Sequence, residues 1–445
     1  MPQDPSAPNP HRRLGTWTAM LLVVANMIGS GVFATTGLLL PDVGSPATVL
    51  LAWLVGGLLA LCGALAYGEL AAALPRNGGE YRLLTRIYHP AAGFVAGWIS
   101  LVVGFSAPIA FAALAFGAYL HAIEPAVPAV PAGVGLVAVL SALHAIHVTA
   151  GGAVQNLFVL AKVLFVAVFA IGGAALGDPG RALPAGGGSL VEGVGAPAFA
   201  VALVIISYSY SGWNGAAYVA GEVRRPSRAL PRALAGGAAI VTVLYVALNA
   251  AFLAAAPANE LSGVVEIGHV AAIRLFGGGA AVVLSAGIAL CLVSSVSAMI
   301  MAGPRVYHAM GEDYRPLRFL TYRTAAGGPA AAVVLQGTAA IALVLTASFG
   351  ALLTYLGFTL SLCAGFTVAG VFVLRRREPS LPRPYRTWGY PATPALFVAL
   401  SSWMVVHSLI ERPWIALAGL GTVASGLAAY AVLARHRTTA ATSAS

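Results

Sequence analysis

The stretch Asn26-Met27-Ile28-Gly29-Ser30-Gly31-Val32-Phe33 lies in the middle of an apolar run over 16–40. About 20 mostly apolar residues are enough for a helix to cross a bilayer. Two glycines around a serine weaken such a helix locally. Lipid offers no partner to the N–H and C=O groups that unwinding frees, so the weak point must line a cavity and meet polar groups there. A second stretch, Ser207-Tyr208-Ser209-Tyr210-Ser211-Gly212-Trp213-Asn214, is equally out of place, being polar in the middle of another apolar run. Corresponding interruptions in the first helix of two five-helix halves point to inverted repeats with a binding site at the midplane. The half-helix after a break turns its N-terminal dipole toward an anion such as a carboxylate. The half before it offers carbonyls to an ammonium. Taken alone, Gly29 and Gly31 also fit close packing between helices. The matching pattern in 207–214 favours a site.

Composition sets the solvent. Apolar residues make up 59% of 445 positions and charged residues 9%, against about 25% charged in a soluble domain. The net charge of +10 falls in short bursts between apolar runs, a pattern of membrane proteins rather than of nucleic-acid binders. Spans are expected at 16–40, 46–73, 91–121, 131–149, 153–176, 197–220, 235–255, 279–302, 330–347, 350–374, 392–410 and 413–434. The fold class is thus an all-α membrane protein of about twelve transmembrane helices. With the N-terminus in the cytoplasm, 20 of the 24 Lys and Arg residues fall on the cytoplasmic side. Only Arg181, Arg274 and Arg412 fall opposite, and Lys162 lies within the fifth span. This bias fits the positive-inside rule and an even span count, with both termini cytoplasmic. The chain divides into a tail (1–13), a first repeat (14–176), a second repeat (197–374), two peripheral spans (392–434) and a second tail (435–445). Cys62, Cys291 and Cys363 each sit inside an apolar run and read as small core residues.

The sequence resembles the amino acid–polyamine–organocation superfamily of transporters. The resemblance rests on Gly29-Ser30-Gly31-Val32-Phe33, on Leu74-Pro75-Arg76-Asn77-Gly78-Gly79-Glu80-Tyr81, and on Gly221-Glu222-Val223-Arg224-Arg225-Pro226. It continues through Arg305-Val306-Tyr307 and Arg383-Pro384-Tyr385-Arg386 and covers nearly the whole chain. Ser211-Gly212-Trp213-Asn214 is most like the L-type branch, which carries neutral amino acids. The resemblance implies a LeuT-type 5+5 inverted repeat plus two peripheral helices. It implies a substrate site of Met27, Ile28, Gly29, Ser30 and Gly31 with Tyr208, Ser209, Tyr210, Ser211, Gly212, Trp213 and Asn214. The carboxylate would meet the amides of Ser30 and Gly31 and the Ser30 hydroxyl. The ammonium would meet carbonyls of Met27, Tyr208 and Ser211, with Tyr210 as an aromatic gate. Packing between helices is the competing reading for Tyr210 and Trp213.

Lys162 is the only lysine in the chain and lies mid-span. A charge there is a functional hypothesis by default, and both span ends are far for snorkelling. In sodium-coupled relatives of this fold a Na⁺ bridges helices one and eight near this place. The resemblance implies that the Lys162 ammonium fills that site, reaching carbonyls at the first break and the hydroxyls of Ser294 or Ser295. Such a protein needs no sodium, and the lysine is also a candidate to exchange a proton.

Other residues take smaller parts. Glu69, near the cytoplasmic end of its run, reads as a contact to the arginine-rich loops, and Glu80 and Glu222 as loop residues. His144 and His147 have no third ligand nearby, so no metal site is expected. The middles of spans one, three, six, eight and ten hold no Asp or Glu, which disfavours the runner-up, a cationic amino acid or polyamine carrier. HExxH, GxSxG and phosphate-loop patterns are missing, so an enzyme and a cofactor are not expected. A sensor on the same fold would need an appended domain to relay its signal. The expected partners are an amino-acid substrate and the bilayer, without nucleic acid, as a monomer or a homodimer. The loop His121–Gly133 has no cysteine, so a covalent heavy chain is not expected.

Overall fold

The computed structural model describes residues 14–75, 78–146, 152–183, 194–325 and 327–436. Among these residues regular structure is entirely helical; the only extended pairing is an isolated bridge between Leu14 and Val223. Nine helical segments of the described residues are long and apolar enough to cross a membrane. Shorter apolar segments Leu160–Leu176, Pro197–Ser209 and Ala330–Thr346 lie where the fifth, sixth and ninth spans are expected. The fold is an all-α membrane bundle, and the chain is a multi-pass membrane protein. Leu160, Leu164 and Ile171 are all more than half exposed, on a fifth span whose outer face therefore needs lipid as its solvent.

Several boundaries differ from the sequence expectation. The seventh span begins at Pro226, not near 235, and runs to Ala255. The eighth runs from Gly278 to Asp313, well past 302. Both extensions carry arginines, which hydropathy excludes from a span although a helix accepts them readily. The ninth and tenth spans, Ala330–Thr346 and Phe349–Arg377, are parted by a short turn in which Ser348 accepts from the Ala351 amide at 3.3 Å. The third span contains a π-helical piece, Ser100–Ser106, between Pro90–Ile99 and Ala107–Ile123. Such pieces often lie at functional sites, and this one was not foreseen. The expected tail 1–13, residues 437–445 of the expected tail 435–445, and Arg76, Asn77 and His147 lie outside the described residues.

The first and sixth spans pack on each other; the first also lies on the seventh, and the sixth on the second, tenth and eleventh. The twelfth span lies outside, 17% of its apolar window being buried against 72% for the third. After the second span comes a short linker helix, Gly79–Ile87, which packs on the tenth. Glu69 clamps this end of the bundle. Its carboxylate accepts both Nε and Nη2 of Arg375 at 2.8 and 2.6 Å, and the amide and hydroxyl of Thr387 at 2.7 Å each. Arg383 Nε lies 3.5 Å away. The expected contact between Glu69 and the arginine-rich loops is thus present.

Candidate substrate site at the helix breaks

The first span is two half-helices, Thr16–Met27 and Gly31–Val43, joined by the non-helical Ile28, Gly29 and Ser30. Each freed group that the chain satisfies has a specific partner. The Met27 carbonyl accepts the hydroxyl of Tyr245 from the seventh span. The Ser30 and Tyr208 hydroxyls are hydrogen-bonded at 2.9 Å, and Thr35 pairs with Ser209 at 2.9 Å. The second half-helix therefore lies directly on the sixth span. A Cβ at Gly31 would come within 2.7 Å of the Ser209 Cα, so glycine here permits the backbones to touch. Gly29 differs, because the nearest atom to its Cβ would be the Met27 carbonyl oxygen at 3.8 Å.

Lys162 reaches this break from the fifth span. Its Nζ donates to the Ile28 carbonyl at 3.3 Å and to the Ser295 hydroxyl at 2.8 Å, and the residue is 3% exposed. Ser295 donates on to the Cys291 carbonyl at 3.0 Å. One ammonium thereby ties spans five and eight to the unwound turn of span one. Ser294 is buried beside it, but the bond goes to Ser295.

The sixth span keeps its helix through Ser209 and opens only over Tyr210–Asn214 before the short helix Gly215–Tyr218. The interruption is shorter than the polar run because Tyr208 and Ser209 find partners on span one. Gly212 takes φ +96° at the turn, and a Cβ there would lie 2.6 Å from the Asn26 carbonyl oxygen. Only glycine meets both demands.

Beside this turn is a cavity of about 560 Å³. Its inner wall includes Asn26, Ser207, Tyr210, Ser211, Gly212 and Trp213; Ser100 and Gly104 of the π-helical piece face it as well. At the other end stand Arg82, Arg305 and Arg323, so the cavity reaches toward the arginine-rich side. The structure thus divides the expected substrate site. Tyr210, Ser211, Gly212, Trp213 and Asn214 line the cavity, whereas Met27, Ile28, Ser30, Gly31, Tyr208 and Ser209 are buried outside its lining and Gly29 is half-buried. Tyr208 is not at the rim. Tyr210 is held by its hydroxyl, which donates to the Trp53 carbonyl at 2.9 Å, and its ring packs on Trp53 and Tyr245.

Sequence reasoning missed two groups of residues. The first is on the seventh span, where Tyr245 holds Met27 and Asn249 accepts from Thr36, which in turn accepts Trp53 Nε1 at 2.8 Å. The signal was there, a Tyr and an Asn four apart in an apolar run. The second is Glu80, read as a loop residue in a pocket without carboxylates. That reading is corrected, since Glu80 sits on the linker helix, is 9% exposed and lines the cavity. A search confined to span middles cannot find a carboxylate that enters from a connecting helix. Among the described residues, no three His, Cys, Asp or Glu side chains group to hold a metal. His144 pairs with Ser297 at 2.8 Å. Cys62, Cys291 and Cys363 are free thiols.

A membrane bundle whose first and sixth spans break side by side next to a cavity belongs to the class of multi-pass membrane transporters. A family model described as amino acid permease matches residues 14–432. The chain belongs to the amino acid permease family. It is 30% identical over 413 residues to the serine/threonine exchanger SteT of Bacillus subtilis, covering 90% of this chain and 91% of that one. It is 28% identical over 429 residues to the human large neutral amino acids transporter small subunit 2, covering 94% and 80%. With the human b(0,+)-type amino acid transporter 1 the identity is 26% over 446 residues, covering 98% and 90%. The family and these relatives are transporters, not enzymes.

Proposed function

We propose that the protein is a sodium-independent secondary carrier of neutral amino acids across the cytoplasmic membrane, working by alternating access as a proton symporter or an exchanger. The observation that carries this reading is the Lys162 ammonium, bonded to the Ile28 carbonyl and the Ser295 hydroxyl at the first break. A fixed cation there does the structural work of a bound metal ion and leaves nothing for sodium to add. The neutral class is supported by the Ser, Tyr, Trp and Gly residues of the inner cavity wall, and by the similarity to a serine/threonine exchanger and a large neutral amino acids transporter. The carboxylate of the substrate would go to the amides of Ser30 and Gly31, the N-terminus of the second half-helix. In the conformation described, span six lies against that N-terminus, so delivery requires the two breaks to separate. The positive-inside rule makes the arginine-rich mouth cytoplasmic and this conformation inward-open. The two five-helix halves, 14–176 and 197–374, would be the parts that rock. The deciding experiment is uptake of labelled amino acids into proteoliposomes in sodium and in sodium-free choline buffer. Equal rates are expected, and a requirement for sodium sinks the reading.

A cationic amino acid carrier is a second reading, favoured by the carboxylates of Glu80, Glu222 and Glu312 in the cavity lining. Competition separates the two. Excess alanine or leucine should block uptake of the neutral label while excess arginine or lysine does little; strong competition by arginine alone moves the assignment to the cationic class.

A further inference from the structure

Buried polar side chains normally find a partner, and a serine in a helix has one at hand in the carbonyl four residues back. Ser402 of the eleventh span, Ala392–Glu411, takes that option and donates to the Val398 carbonyl at 2.8 Å. Its neighbour Ser401 does not. Ser401 is 3% exposed, and its hydroxyl has no partner among the described residues. Ser141, Thr359 and Ser408 also carry buried hydroxyls without one, but of the four only Ser401 lines the cavity.

Two more hydroxyls line the same cavity. Ser207 of the sixth span donates to the Val204 carbonyl at 2.6 Å, which uses its single hydrogen. In the 3.0 Å contact between Ser207 and Ser361 of the tenth span, Ser361 is therefore the donor. The Ser361 oxygen keeps free lone pairs but has no hydrogen left to give. Ser401 is free to do both. The two stand close together. A Cβ at Gly365 would lie 3.5 Å from the Ser401 Cβ, and Gly365 is four residues from Ser361 on the same helix face. Leu360, Ala364 and Phe397 complete this part of the lining with apolar surface. Ser207 in turn stands less than one turn before the unwound stretch Tyr210–Asn214. One helical turn rises about 5.4 Å, within reach of a short side chain and its hydrogen bond.

We propose that Ser401, with Ser361, forms a side-chain subsite that selects, among neutral amino acids, those whose side chain both donates and accepts a hydrogen bond. The proposal rests on the carrier reading above and narrows its substrate. A hydroxyl or carboxamide side chain donates to Ser361 and accepts from Ser401. An apolar side chain of the same size shuts both serines away from water and offers nothing in return. A site built to bond a polar group discriminates against the analogue without it, because its own polar atoms are left unpaired.

The test is thermal stabilisation of the purified full-length protein, titrated with threonine, valine, asparagine and leucine. The concentration dependence of the shift gives an apparent Kd for each, by mass action. Threonine and valine have nearly the same shape, as do asparagine and leucine. In wild type, threonine should bind about tenfold or more tightly than valine, and asparagine more tightly than leucine. Ser401→Ala should bring both ratios close to one. Ser401→Thr keeps the hydroxyl and should keep the preference, while Ser361→Ala removes the acceptor and should weaken it. Each melting temperature without ligand reports folding separately. Ser401→Ala removes no bond and should melt near wild type. A threonine-to-valine ratio unchanged in Ser401→Ala overturns the proposal. So does a wild type that binds all four amino acids alike, a result that leaves the neutral-carrier reading standing. If none of the four stabilises the protein while arginine or lysine does, the neutral-carrier reading fails and the subsite falls with it.

Discussion

At Lys162 the ammonium has two partners inside the bundle, and the effect of removing it follows from them. Lys162→Ala leaves the Ile28 carbonyl and the Ser295 hydroxyl facing an empty space. A buried polar group without a partner costs about 1–3 kcal/mol, so affinity or turnover should fall by roughly ten- to a hundredfold. Lys162→Met restores most of the volume without the charge and should fail similarly in proteoliposome uptake at matched protein amounts. Near-normal transport by Lys162→Met would show that only packing is needed. The two glycines of the same break separate at this scale. Gly31→Ala forces a Cβ against the Ser209 backbone and should lower stability by about 1–3 kcal/mol, seen as a reduced melting temperature. Gly29→Ala meets only the Met27 carbonyl oxygen, at ordinary contact distance, and should melt near wild type. If Gly29→Ala nonetheless loses substrate-induced thermal stabilisation, a ligand approaches there; if it binds normally, the substrate stays clear of Gly29. Lys162 was conspicuous in the sequence because a lone charge in an apolar run has no bland explanation. The distinct duties of Gly29 and Gly31 were not, since spacing says nothing of what lies opposite a missing side chain.

Among elements, the sixth span carries the main lesson. Its polar run promised a break over 207–214, but helix persists to Ser209 because span one supplies Ser30 and Thr35 as partners. Whether a polar residue interrupts a helix depends on whether a neighbouring helix can bond its side chain, and no local pattern contains that. The clamp at the arginine-rich end is the complementary case. Glu69 joins the end of span two to Arg375 of span ten and to the loop residue Thr387, with its side chain 2% exposed. Removing one partner of a buried pair costs roughly 3–5 kcal/mol; Arg375 keeps 21% of its side chain in solvent, which lowers the expectation toward the smaller figure. Glu69→Ala should lower the melting temperature clearly, and Arg375→Ala less, because Arg383 and Thr387 still serve the carboxylate. Equal stability of Glu69→Ala and wild type would remove the clamp from the account.

For the whole molecule, the expected arrangement has both termini in the cytoplasm, and reporter fusions at the C-terminus check it. A cytoplasmic signal is expected; a periplasmic signal would break the even span count and turn the cavity mouth outward. Substrate class is tested at the same scale by thermal stabilisation with each of the twenty amino acids, since a ligand that binds the folded state stabilises it by mass action. Neutral amino acids should shift the melting temperature and arginine and lysine should not.

The membrane class, the places of the twelve spans, the weak points in spans one and six and the singular Lys162 were determined by the sequence alone. Each is a statement about how one segment meets lipid, and hydropathy and charge report that directly. Only the tertiary structure decided that Lys162 bonds Ser295 rather than Ser294, that Tyr245 holds the Met27 carbonyl, and that Glu80 enters the cavity from a connecting helix. Those facts depend on which atoms of distant segments come within hydrogen-bonding reach. A bond about 3 Å long between residues more than a hundred positions apart leaves no trace in the local pattern of either partner.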